Sequence, residues 1–162
     1  MRRLCVFCLC LCLASCSNKY GDHPPYPTSG QILVDGQPAP KGLQVTFFHE
    51  GDWGDKPIVP MALTDDEGKF EMTTYGTHDG APAGDYKVTV EWPAYRRGRN
   101  RGPDKFGGTY AKKETSVLTA HVEKGSNKLP PFELTISPEQ AKRNEAVEAA
   151  WARKNRKIGQ NQ

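Results

Sequence analysis

The sequence predicts an all-β domain, a seven-stranded antiparallel β-sandwich followed by an α-helical tail. Three observations predict it. The 162 residues include 16 glycines and 13 prolines, a density that suits many turns and short strands rather than a helical bundle. Between residues 28 and 137, apolar and polar residues alternate in runs of about six, separated by Gly, Pro and Asp. Beyond residue 137 the composition shifts to Ala, Glu, Lys and Arg, all strong helix formers. One domain is expected at this length, able to bury about two-thirds of its extended surface. No apolar run reaches the ~18 residues of a spanning helix, which argues against a polytopic helical membrane protein.

Residues 1–15 read as a signal peptide. Arg2 and Arg3 form a positive n-region, residues 4–13 (LCVFCLCLCL) an apolar h-region, and Ala14 and Ser15 the small residues before Cys16. Cys5, Cys8, Cys10 and Cys12 all fall in this leader, where cysteine acts as a small hydrophobe. The formal C-x-x-C of Cys5 and Cys8 therefore carries no metal or redox reading, and the exported domain has no disulfide. Residues 13–16 (LASC) resemble the bacterial lipobox. That resemblance implies a diacylglycerol on the Cys16 thiol and cleavage before it. At about 0.8 kcal/mol per buried methylene, two or three acyl chains hold a domain at a bilayer. The expected location is therefore an exported, membrane-anchored lipoprotein, periplasmic or on the outer face of the envelope. Residues 16–27 are polar and Pro-rich and read as a lipidated cysteine and its tether. His23 reads as a solvated residue of that tether.

Strands are expected at residues 31–34, 43–49, 57–64, 69–74, 85–92, 115–123 and 132–136. The first ends in Asp35-Gly36, a hairpin signal. The second places Leu43, Val45 and Phe47 on one face. The third carries Pro60, which favours an edge or a bulge. Residues 65–68 (DDEG) form a tight turn into the fourth, where Phe70 and Met72 share a face. The fifth alternates Tyr86, Val88 and Val90 with Lys87, Thr89 and Glu91. The sixth aligns Leu118, Ala120 and Val122, and the seventh aligns Phe132, Leu134 and Ile136. Residues 28–137 thus form one sandwich.

Four stretches, in order, resemble one family. Residues 30–38 (GQILVDGQP) are similar to the opening G-x-V-x-x-D-G-x-P of carboxypeptidase regulatory-like, or transthyretin-like, domains. Residues 64–70 (TDDEGKF) are similar to their T-D-x-x-G-x-F turn, and residues 83–90 (AGDYKVTV) to their P-G-x-Y-x-V-x-V strand. Residues 115–134 resemble the closing segment of such domains in small envelope lipoproteins of planctomycete-type bacteria. The resemblance covers about residues 29–136. It implies a Greek-key sandwich of transthyretin/Ig-like type without catalytic activity. Residues 105–113 depart from the family pattern, being longer and looser. Gly68 and Gly84 read as turn and strand-entry glycines.

No enzyme is expected from the residues themselves. Ser29, Ser116, Ser126 and Ser137 lack a G-x-S-x-G context. His23, His49, His78 and His121 lack metalloprotease spacing. A transthyretin-like hydrolase is the less favoured alternative, since residues 95–98 (YRRG) only graze its Y-R-G-S signature and lie mid-chain. Asp65, Asp66 and Glu67 read as a solvated turn rather than a calcium loop, so neither metal nor cofactor is expected.

Binding is the remaining class. Residues 92–105 (WPAYRRGRNRGPDK) interleave Arg96, Arg97, Arg99, Arg101 and Lys105 with Trp92 and Tyr95. Such clusters suit phosphate, carboxylate or polyanion binding. Trp53, in an acidic loop, either stacks on a sugar ring or folds back over the sandwich; the second reading is favoured. Charge argues against nucleic acid: residues 28–137 hold 13 basic and 15 acidic side chains, so the sandwich is mildly acidic. The partners expected are a membrane through the lipid anchor, and an envelope protein or anionic glycan.

Residues 138–162 form the basic helical tail, with six basic and three acidic side chains. Ser137 is the N-cap, Pro138 stands at N1 and Gln140 completes a capping box. Ala146, Val147, Ala150 and Trp151 make a short apolar stripe that either docks or stays solvated. The combined expectation is a lipid-anchored, non-catalytic envelope module, structural or interacting. The alternative is a binding module for an anionic glycan or lipid through the Arg96–Arg101 segment and Trp53.

Overall fold

A computed structural model describes residues 21–53, 57–97 and 100–159. The leader, Cys16, Arg99 and the side chain of Arg97 lie outside the described residues. The strands are β1 (Pro25–Tyr26), β2 (Thr28–Val34), β3 (Gln37–Pro38), β4 (Gln44–His49), β5 (Met61–Leu63), β6 (Lys69–Glu71), β7 (Ala81–Pro82), β8 (Gly84–Glu91), β9 (Arg96–Arg97), β10 (Asn100–Arg101), β11 (Thr119–Val122), β12 (Asn127–Lys128) and β13 (Phe132–Leu134). The helix α1 spans Pro138–Gly159.

Each of the seven expected strands has a counterpart, and two main sheets stack them as a sandwich. One sheet runs β11-β8-β4-β5. In the other, β2 is central, with β12 and β13 on one side and β3 and β6 on the other. Asp35 and Gly36 both take positive φ, 50° and 76°, and turn β2 into β3 as an Asp-Gly hairpin should. The antiparallel expectation fails at one place: β12 and β13 run parallel to β2. The chain leaves β11 on one sheet and re-enters on the other, so no hairpin dictates its direction there.

The alternating residues meet between the sheets. Leu43, Val45, Phe47, Tyr86, Val88 and Val90 from one sheet are buried against Ile32, Phe70, Phe132 and Leu134 from the other. Leu118 and Ile136, expected inside, are only partly buried. Residues 105–113 are not loose. Phe106 and Tyr110 are buried there, with their rings edge-to-face at 5.2 Å, and the Tyr110 hydroxyl accepts from the Thr135 N–H. Buried Thr64 is satisfied, donating to the Pro40 carbonyl at 2.8 Å and accepting from the Leu43 N–H. Among the described residues, no buried side-chain nitrogen or oxygen lacks a partner.

Candidate functional site

The arginine segment is a built hairpin. β9 and β10 pair with Arg96 opposite Arg101. Below them the Gly102 N–H donates to the Tyr95 carbonyl, Ala94 to Pro103, and Lys105 to Trp92, at 2.8–2.9 Å. Asp104 closes the base, accepting from the N–H groups of Trp92 and Gly108 at 2.8 Å. Directly opposite residues on paired strands point to the same face, and like charges there repel. Arg96 and Arg101 are such a pair. Partial burial and the neighbouring Arg101 hold the Arg96 guanidinium below its usual pKa, against a smaller opposing effect of Glu91. Arg96 donates weakly to the Gly42 carbonyl at 3.4 Å, and Arg101 stands 3.8 Å from the Glu91 carboxylate with both side chains exposed. These contacts are weak, and a bound anion would relieve the repulsion.

Helix α1 packs on the base of this hairpin. Ser137 Oγ accepts from the Gln140 N–H as an N-cap should. The reciprocal half of the capping box is missing, because the Gln140 side chain donates to Asn144 instead. Asn144 Nδ2 then donates to the Lys105 carbonyl at 2.9 Å. The Lys105 ammonium pairs with Glu148 and sits 4.7 Å above the Trp92 ring. Trp151 stacks on Tyr95 with ring centroids 5.6 Å apart. The docking row is therefore Gln140, Asn144, Glu148 and Trp151, spaced by three or four residues along one face. Of the expected apolar stripe, Trp151 stacks on Tyr95 and Val147 is half-buried on the same face, whereas Ala146 and Ala150 are exposed. The signal for the real face was a polar row at helical spacing. Arg153 and Lys154 follow Trp151 and are exposed.

Trp53 lies elsewhere. Its ring is stacked between His49, at 3.9 Å, and His23, at 4.5 Å, and meets the edge of Tyr86. It is half-buried against the core. His49 Nδ1 accepts from the Gly51 N–H at 2.8 Å. Burial above all pushes the Tyr86 phenol well up, and its hydroxyl donates to the Pro82 carbonyl. His23 is not a free tether residue: the Tyr75 hydroxyl donates to its carbonyl, and β1 just beyond it pairs with β7. The chain thus joins the sandwich at Pro25, before the boundary expected at residue 28.

The register separates the two sites. On β4 and β8, Gln44 faces Glu91 at the arginine end and His49 faces Tyr86 at the Trp53 end. Five residues of strand span roughly 17 Å. Trp53 and the arginines therefore do not form one site.

The other candidates resolve as local structure. Asp65 Oδ1 accepts from the N–H groups of Glu67 and Lys69, while Lys69 pairs with Glu67 and Lys41 with Asp66. His78 pairs with Glu71 at 3.0 Å and His121 with Asp85 at 2.6 Å. Among the described residues, no group of three or more His, Cys, Asp or Glu side chains is placed to hold a metal ion.

No protein-family model and no curated protein matches the chain. Two solved structures share part of its course. A DUF3823 family protein from Parabacteroides merdae aligns at 18% identity and a TM-score of 0.41, over 72% of this chain and 48% of that one. A 9R-lipoxygenase from Cyanothece aligns at 12% identity and a TM-score of 0.37, over 71% of this chain and 17% of that one. The chain thus spans about half the length of the first and a sixth of the second.

Proposed function

We propose that this protein is a lipid-anchored, non-catalytic module of the cell envelope that presents a basic pole to an anionic polymer. One observation carries the reading: α1, whose last turns carry Arg153 and Lys154, docks through Glu148 and Trp151 on the base of the hairpin that bears Arg96 and Arg101. Two basic segments far apart in sequence thereby become one surface, in a sandwich that is otherwise mildly acidic. Clustered guanidinium groups bind carboxylate and phosphate oxygens in forked pairs. Export through the leader and anchoring at Cys16 place that surface in the envelope, where anionic glycan is the fitting partner. Carboxypeptidase regulatory-like membership belongs to the same proposal. It is supported by the motif glycines: Gly36 and Gly68 turn with positive φ, and Gly84 opens β8.

The test replaces Arg96, Arg101, Arg153 and Lys154 together by Ser and measures retention on immobilised anionic envelope glycan against salt. The expected result is a loss of binding of about tenfold or more, and a flattened salt dependence, as fits exposed charge contacts. Unchanged retention overturns the basic-pole reading. Cys16→Ala, expected to move the protein out of the membrane fraction, tests the anchor separately.

A further inference from the structure

We infer that the free edge of β11 is an addition site for an extended polypeptide strand bearing Lys or Arg. The inference is independent of the basic pole.

The sandwich is closed on one side and open on the other. On the closed side the Met61 and Thr73 backbones exchange hydrogen bonds of 2.9 Å and tie the sheets together. On the open side β11 ends one sheet while β12 and β13 end the other. Between these edges runs a groove of about 700 Å³, with Leu118, Ala120, Leu129 and Phe132 as its apolar lining. Val117, at the β11 lip, is 81% exposed.

The two edges are not equivalent. The Val88 N–H donates to the Leu118 carbonyl at 3.0 Å. In an antiparallel pair the bonded residues alternate, so Leu118, Ala120 and Val122 turn their backbone groups to β8. Thr119 and His121 then turn an N–H and a C=O each to the open edge, a template for one more strand. On the facing edge, Pro130 and Pro131 have no N–H to offer, and the Thr135 N–H just beyond β13 is already taken by the Tyr110 hydroxyl. The β13 edge is blunted; the β11 edge is receptive.

Charge selects the occupant. Glu50, Asp85 and Glu133 line the groove, and among the described residues no Lys or Arg does. Glu50, Asp85 and His121 stand in one row across three strands, since the Glu50 N–H donates to the Asp85 carbonyl and His121 is in register with Asp85. His121 Nδ1 lies 2.6 Å from Asp85 Oδ1. A strand laid beside β11 extends this row by one position. A Lys or Arg there stands next to the Asp85–His121 pair, while its apolar neighbours enter the groove. An anionic polymer is repelled at the same place.

The test uses the full chain in detergent micelles and a fluorescein-labelled octapeptide of alternating Lys and Val, read by fluorescence anisotropy. Three comparisons decide it: the same peptide with N-methylated backbone amides, the same peptide with Glu for Lys, and the chain carrying Thr119→Pro. Thr119 directs its N–H away from β8, so proline there removes an edge donor and spares the sheet. Binding is expected to weaken about tenfold in each case, the size of one or two lost backbone or charge-assisted bonds. Absence of binding by the Lys peptide overturns the inference, as does equal binding of the N-methylated or the Glu peptide. The peptide comparisons decide the question even where Thr119→Pro fails to fold. Self-association of the chain through β11, relieved by Thr119→Pro and not by the Lys peptide, would assign the edge to a second copy and overturn it too.

Discussion

At Gly80 the backbone takes φ +100°, and a Cβ added there would overlap the Tyr26 carbonyl. This single residue lets the N-terminal arm lie against the sandwich. Its neighbour Ala81 pairs with Tyr26, and its own N–H donates to the Met72 carbonyl. Gly80→Ala therefore imposes both a backbone conformation that side chains avoid and a clash with main chain, at a cost of about 1–3 kcal/mol. The arm is the part that gives way. The expected result is a lower urea midpoint together with a change in tryptophan emission, as His23 leaves the face of Trp53. A variant with unchanged emission would show the arm seated by something other than this contact. None of this was legible in the residues around Gly80, because a tripeptide of Asp, Gly and Ala signals only a turn. What makes the glycine necessary is a strand more than fifty positions earlier in the chain.

The elements divide by how they earn their burial. Strands β4, β8 and β13 were readable because their core residues, Val45 and Phe47, Tyr86, Val88 and Val90, and Phe132 and Leu134, recur at every second position, and that spacing is written directly in sequence. The segment holding Phe106 and Tyr110 was not, because it is buried by irregular backbone with no period to detect. Helix α1 is an intermediate case. Its start was marked by Ser137 and Pro138, whereas its docking face is mostly polar and follows partners on the hairpin. Trp151→Ala removes the one large ring in that face, which still leaves Asn144 and Glu148 in place. A ring stack of this kind contributes about 0.5–1.5 kcal/mol beyond its area. The helix, not the sandwich, should respond: amide exchange in residues 148–159 is expected to accelerate severalfold, with the β8 amides unchanged. Equal acceleration in β8 would mean that helix and sandwich unfold as one unit.

For the whole molecule the decisive fact is polarity. The arm that leads back toward Cys16 sits at the Trp53 end, and the arginine hairpin with α1 sits at the other. On the proposed anchoring at Cys16, five residues before Gly21, the first end lies within roughly 17 Å of the bilayer, the reach of five extended residues. A domain of about 110 residues has a radius of gyration near 13 Å, so its far end stands about 30 Å beyond its near end. The basic pole is then held away from the headgroups of its own membrane, which favours a glycan or an opposing surface over self-binding to lipid. Donor fluorophores on Pro27→Cys and on Lys154→Cys, with acceptor lipids in the vesicle, measure this directly. With the leader and its four cysteines cleaved off and the Cys16 thiol acylated, as proposed, each label is unique. Strong energy transfer is expected from position 27 and weak transfer from position 154, at low and at high salt alike. Strong transfer from position 154 at low salt, lost at high salt, would instead lay the arginines on anionic headgroups. That result would make the membrane itself the polyanion they bind.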